Sequence, residues 1–278
     1  MTAALRPVVL CADDYACSAG VSEAVRRLAL GGRLTATSAM VLAPRWPEDA
    51  APLRELRGRL DVGLHLDFTS EFAVAAGHGL PLGAAMRRAL LGGFDRAAAR
   101  AVIERQLDAF ESAWQAPPDH VDGHQHVQQF AGIREPLVEL LARRYGAQAP
   151  WLRVSRAPAG LRDLKSRVIG WMGANALESI AAGARLPWAK WLSGIYDFSG
   201  GEAGYARHMA TWLARAPAGT VLMCHPALPQ TVGSEGGDAI AAARAWEYAH
   251  LASPAFAAQC ASAGVQLLRG RGLYTAAV

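Results

Sequence analysis

The sequence predicts an α/β protein, an irregular (β/α) barrel of about seven parallel strands. Three observations carry this. Short apolar runs alternate with helical patterns along the whole chain, the pattern of a parallel sheet covered by helices. The chain has 278 residues, 52% of them hydrophobic, enough for one large core. Acidic and imidazole side chains gather where the predicted strands end, the edge at which such barrels carry their chemistry. No repeat, low-complexity tract or linker divides the chain, so residues 1–278 read as a single barrel domain.

Val8-Val9-Leu10-Cys11-Ala12 is a continuous apolar run, as expected of a buried strand, and it ends in Asp13-Asp14. Ser18 is placed to cap a helix with Val21, Val25 and Leu28 on one face, stopped by Gly31-Gly32. Thr37 to Leu42 reads as a second strand, closed by Pro44 and Pro47, and Ala50 to Leu60 as a short helix. Asp61 to Leu66 is the third strand. Thr69 to Gly93 has a poor pattern and reads as a long connection, often a binding loop. Asp95 caps a strong helix that buries Val102, Ile103, Leu107, Phe110 and Trp114.

After the turn Ala116-Pro117-Pro118-Asp119 comes His120-Val121-Asp122-Gly123-His124-Gln125-His126, a strand running out into a loop. Ile133, Leu137, Leu140 and Leu141 mark the next helix, and Trp151 to Val154 the next strand. Residues 160–194 read as a helical insertion rich in tryptophan, with Trp171, Trp188 and Trp191 either packed on the barrel or forming a platform for a flat ligand. A helix around Tyr205 to Leu213 leads to the strand Gly219 to Cys224, which ends at His225-Pro226. Helices around 238–250 and 254–263 and a last strand, Val265 to Leu268, complete the chain.

Composition excludes several classes. The net charge is +4 and charged residues make up 19%. The arginines are scattered and Lys165 and Lys190 are the only lysines, so there is no basic stripe for nucleic acid. Cys11, Cys17, Cys224 and Cys260 form no C-x-x-C pair and fit neither a disulfide framework nor a structural zinc site. No apolar signal core precedes the first strand and no run reaches the roughly 18 apolar residues of a spanning helix. The expectation is a soluble, cytoplasmic protein with no integral membrane segment, as a monomer or a homodimer.

Four strand ends present a titratable or metal-ligating side chain: Asp13 and Asp14, His65, the Asp122-His124-His126 stretch, and His225. A mononuclear hydrolytic site needs about three protein ligands and an open position for water. Asp14, His65 and His124 supply one carboxylate and two imidazoles. Residues two apart on a strand share a face, so His126 could face the same pocket. It is expected as a residue behind the ligands or towards the substrate, or as the ligand in place of His124. Asp13 is the candidate base for water and His225 the candidate proton donor to the leaving group. The donor set suits one divalent ion, magnesium or zinc first, with manganese or cobalt also compatible.

Ala12-Asp13-Asp14-Tyr15, Gly63-Leu64-His65-Leu66, His120 to His126 and Met223-Cys224-His225-Pro226 together resemble the YdjC-like family of carbohydrate deacetylases, which includes chito-oligosaccharide and hopanoid-biosynthesis types. The resemblance implies a barrel related to polysaccharide deacetylases and a divalent metal on Asp14, His65 and His124. It implies removal of an acetyl group from an N-acetylated sugar, oligosaccharide or glycolipid, with Asp13 as base and His225 as acid. It implies that Arg153 lies near the substrate. The chain departs from the family at Tyr15-Ala16 and at Gln128-Gln129-Phe130-Ala131, positions expected at the rim of the site. Two other functions use the same residues: hydrolysis of an ester or phosphoester, and non-catalytic sugar binding. Binding alone needs neither a base nor an acid.

Overall fold

Strand β1, Arg6–Tyr15, runs through the middle of the sheet and is its longest strand. The computed structural model describes residues 4–229 and 238–274. In chain order the elements after β1 are α1 (Ala19–Leu30), β2 (Ala36–Ala39), α2 (Trp46–Arg54), β3 (Asp61–Leu66), α3 (Glu71–Ala75), α4 (Leu82–Leu90) and α5 (Arg96–Trp114). Then come β4 (His120–Gly123), a 3-10 turn over His124–Gln129, α6 (Arg134–Tyr145), β5 (Trp151–Arg153), α7 (Leu164–Trp171) and α8 (Ala174–Gly183). The rest is β6 (Trp188–Ala189), β7 (Trp191–Ser193), α9 (Gly201–Arg215), β8 (Thr220–Cys224), α10 (Ala241–Ala252), α11 (Pro254–Ser262) and β9 (Val265–Leu267).

All strand pairings are parallel, in the order β6-β5-β4-β3-β2-β1-β8-β7, with β9 added to the start of β1. The two ends of this path are joined by the chain itself. β6 pairs with β5 and β7 pairs with β8, and only Lys190 separates them. The segment Trp188–Ser193 thus passes from one edge of the sheet to the other and leaves a nearly closed barrel. The expected barrel is present, with nine strand segments rather than about seven. The two extra segments fall inside the stretch read as helical. Strands of two and three residues are too short to display any alternation.

Several local signals act as the residue types dictate. Ser18 accepts from Val21 N and caps α1, and Asp95 accepts from Ala98 N and caps α5. Helix α2 begins at Trp46 rather than Ala50, because Pro47 sits in its first turn, where a missing N–H costs nothing. The connection from Thr69 to Gly93 contains α3, capped by Ser70, and α4.

Alternation along the strands separates two apolar layers. On β1, Val8, Leu10 and Ala12 face the helices, while Val9 and Cys11 face the barrel interior. On β8, Leu222 and Cys224 face out and Val221 and Met223 face in. Fully burying a side chain such as Leu10 contributes about 1.5–3 kcal/mol. The same parity puts Asp13, Ser38, His65, Asp122 and Arg153 inside, and each of them is buried. Beneath them, His120 stacks on Trp151 with ring centroids 4.4 Å apart. No helix among the described residues is long and apolar enough to cross a membrane.

Candidate active site

The strand ends open into one cleft with a cavity volume of about 1980 Å³, on which Asp13, Asp14, His65, His124, His126 and His225 all border. Asp13 faces it by ordinary strand alternation. Asp14, the next residue, would face away. It reaches the cleft because its backbone is left-handed, φ 66°, and the β1–β2 register shifts between Ala12 and Tyr15. Among the described residues the non-glycine positions with positive φ include Asp14, Gln125, His126 and Phe198, all of which border the cleft. Such backbone costs of order 1–3 kcal/mol each and persists where surrounding contacts hold it.

The metal question is decided by which atoms are already engaged. Ligand atoms of Asp14, His65 and His124 lie within 4.8 Å of one another. His65 Nδ1 donates to Asp122 Oδ1 at 2.6 Å, which leaves Nε2 3.5 Å from Asp14 Oδ1. His124 Nδ1 lies 3.2 Å from the same oxygen. The other Asp14 oxygen accepts from Arg244 Nη2 at 2.7 Å. One carboxylate oxygen and two imidazoles therefore converge, and a carboxylate behind the histidine fixes its tautomer, as metal-binding histidines require. Two other acidic clusters are less suited. In one, Asp13 and Asp122 are gripped by Arg153; in the other, Cys11 is a thiol that burial, helped by Asp13 and Asp122, keeps protonated.

Electrostatics agree with this division. Burial pushes the Asp14 carboxyl up, but Arg244, His124 and His65 outweigh it and hold it well below the usual carboxylate range. Burial pushes His65 down, but Asp122, Asp13 and Asp14 outweigh it and raise the imidazole to about 9. The negative charges around His65 thus draw a cation to its outward nitrogen. His120, buried under the site, is pushed down to about 4 by burial, with Arg153 adding to the effect against Asp122.

Asp13 is held from below. Arg153 Nη1 and Nη2 donate to its two oxygens at 2.7 and 2.8 Å, and Nη1 also lies 3.0 Å from Asp122 Oδ2. Arg153, expected beside the substrate, is fully buried beneath Asp13 and does not border the cleft. Ser38 donates to Asp122 Oδ2 at 2.6 Å and lies 2.9 Å from His120 Nε2. On the far rim His225 N donates to Glu247, His225 Nδ1 lies 3.7 Å from Glu247 Oε1, and Tyr196 OH donates to the same Oε1 at 2.8 Å.

The strand ends at Gly123, so His124 and His126 do not share a strand face. A 3-10 turn with left-handed backbone at Gln125 and His126 sends His124 to Asp14, while His126 Nδ1 lies 3.0 Å from Ser155 Oγ. The metal-ready group thus contains His124 and not His126. Tyr15 is not at the rim; it is buried, and its hydroxyl donates to Asp49 O at 2.8 Å. Gln128 is also buried and donates to Arg153 O and Ser155 Oγ, whereas Gln129 and Phe130 do border the cleft. Ser38, Arg244 and Glu247 were not found from sequence. The spacing of Arg244, Glu247 and Leu251 on the inner stripe of α10 was the one available signal: two charged residues where apolar ones belong.

A nearly closed parallel barrel with carboxylates and imidazoles at the C-terminal ends of its strands defines a protein of the barrel hydrolase kind. The family described as YdjC-like protein matches residues 7–262, and the chain belongs to that family. It is 31% identical to a human carbohydrate deacetylase, over 94% of this chain and 88% of that protein. A chitooligosaccharide deacetylase of Serratia marcescens is 28% identical over 79% of this chain and 81% of its own. A crystal structure of a protein from Enterococcus faecalis V583 superposes with a TM-score of 0.73 at 17% identity, covering 97% of this chain and 99% of that one, and supports the fold.

Proposed function

We propose that this protein is a metal-dependent carbohydrate deacetylase that hydrolyses the acetamide of an N-acetylated sugar. The observation that carries the reading is the convergence of Asp14, His65 and His124 in one cleft with Asp13 and His225. The names of its relatives, carbohydrate and chitooligosaccharide deacetylase, support the substrate class. Asp14, His65 and His124 would hold one divalent ion, magnesium or zinc, which when bound supplies positive charge for the amide carbonyl and for ionising water. Asp13, oriented by Arg153, takes the proton from water as its oxygen bonds to the acetyl carbon. His225 gives a proton to the nitrogen as the C–N bond breaks, so that acetate and a free amine leave. Ser38 and Asp122 keep His65 in one tautomer.

Further parts of the reading follow the same residues. The chain is read as one barrel domain; in the tryptophan-rich stretch 160–194, α7 borders the cleft, while Trp188–Ser193 belongs to the barrel sheet and is not an insertion. His126, in the 3-10 turn after β4, borders the cleft and is placed to face the substrate. All four cysteines are free, which supports a reducing, cytoplasmic setting. The homodimer expectation is checked by sedimentation velocity.

Acetate release from N-acetyl chito-oligosaccharides tests the proposal. It should require added magnesium or zinc, stop with a chelator, and be lost in His124→Ala. Turnover of O-acetyl or phosphoryl substrates in place of the amide would turn the reading to an esterase or phosphoesterase. Sugar binding unchanged in Asp13→Asn, with no turnover under any metal, would leave a binding protein.

A further inference from the structure

Ten large hydrophobic side chains are exposed among the described residues, and seven of them lie on or next to α3, α4 and α7; Leu82, Leu164 and Val168 border the cleft itself, while Trp171 does not. Val74, Leu82, Leu90 and Leu91 lie on α3, on α4 and just after it, with Leu91 85% exposed. Leu164, Val168 and Trp171 lie on α7, at 79%, 40% and 72%. Scattered apolar residues on a surface need no explanation, but a concentration beside a binding cleft does.

One loop braces both helices. Phe94 N, just beyond α4, donates to Ala131 O at 3.0 Å, and Gln129 donates to Ile169 O in α7. The two helices therefore end against the same rim. Their inner residues, Leu82 and Met86 of α4 and Ile169 of α7, with Met172 just after α7, border the cleft. Apolar surface thus continues from the cleft wall to the outer rim.

The charge around this surface is positive. Arg87 and Arg88 stand exposed on α4, and Arg162 and Arg167 beside and on α7. Lys165 is exposed on α7 as well; the acids here are Glu71 on α3, Asp95 a few residues past α4, and Asp163, which caps α7 and accepts from Ser166 N at 2.7 Å. Behind α7 a second, small cavity of about 210 Å³ is bordered by Arg156, Arg162, Arg167 and Trp171. Tryptophan and leucine tips among arginines are the composition that settles into the headgroup region of an anionic bilayer. A two-fold dimer through this face would set the same arginines against themselves.

We propose that α4 and α7 form a membrane-docking surface that seats the cleft mouth on an anionic lipid bilayer.

The test is co-sedimentation of the whole protein with vesicles of phosphatidylcholine alone or mixed with phosphatidylglycerol. The wild type should pellet with the anionic vesicles and be released by salt. The double variant Leu91→Ser, Trp171→Ser and the double variant Arg87→Glu, Arg167→Glu should each lose affinity by about tenfold or more. Both should still release acetate from a soluble chito-oligosaccharide at the wild-type rate. A wild type that stays in the supernatant, serine variants that bind as the wild type does, or a dimer in solution that the serine variants dissolve would each overturn the proposal. Vesicle binding needs no turnover, so docking without acetate release would count against the deacetylase reading and leave the surface standing.

Discussion

Asp122 Oδ1 lies 2.6 Å from His65 Nδ1, on the side of the ring opposite the nitrogen that faces Asp14. Burial raises the Asp122 carboxyl, but Arg153 and His65 outweigh it and hold the group well below the usual carboxylate range. Replacing it with Asn puts an amide donor among the donors of Ser38 and Arg153. Asp122→Asn should weaken zinc or magnesium binding by about 10–100-fold, the usual effect of losing a partner behind a ligand histidine. Titration calorimetry reads this directly. Unchanged affinity would mean that His65 is not a ligand.

His225 is assigned to the leaving nitrogen, not to water. His225→Ala should therefore lower kcat on an N-acetyl sugar by about 10²–10⁴-fold. The loss should shrink on an acetanilide with a strongly electron-withdrawing ring, whose amine leaves with less need of a proton. An equal loss on both substrates would remove His225 from that role.

Gly63 has no positive φ to explain it; its neighbour does. A Cβ at Gly63 would stand 2.4 Å from the His120 ring, which can give way only by disturbing its stack on Trp151. Gly63→Ala should destabilise the protein by about 1–3 kcal/mol, as overpacked cores do. Urea unfolding measures this. The shift of the His120 ring should also disturb Ser38 and so slow the enzyme.

At the opposite end of the barrel, Asp61 is raised from 3.8 to about 6, by burial first and then by Asp119, against Arg271 N, Arg269 and Trp151. A raised carboxyl binds its proton more tightly in the folded chain. It therefore adds stability that is full below about pH 4 and is lost as pH rises through about 6. Asp61→Asn should remove this dependence. The wild type should lose about 2 kcal/mol relative to the variant between pH 4 and 7, by urea unfolding at each pH. A difference that does not change with pH would refute the assignment.

Much of this site was legible because strand ends are legible. The apolar runs before Asp13, His65 and His225 are long enough to read, and alternation fixes which of their residues point inward. The missing parts have physical causes. Ser38 is a small hydroxyl on a four-residue strand, without a pattern of its own. Arg244 comes from a helix over 200 residues away from Asp14, a contact that no local period encodes. The different paths of His124 and His126 depend on left-handed backbone at Gln125 and His126, which ordinary residues seldom adopt.

The kink at Asp14 also bears on how such an enzyme can change. Two acids with separate duties are consecutive in the chain and share one peptide plane, so neither can be moved alone. A substitution that relaxed residue 14 to ordinary strand backbone would withdraw one acid from His65 and His124 and swing the other away from Arg153 together. Variation that retunes substrate choice is then confined to the helices and loops around the mouth, while this pair is inherited as a unit or lost as one.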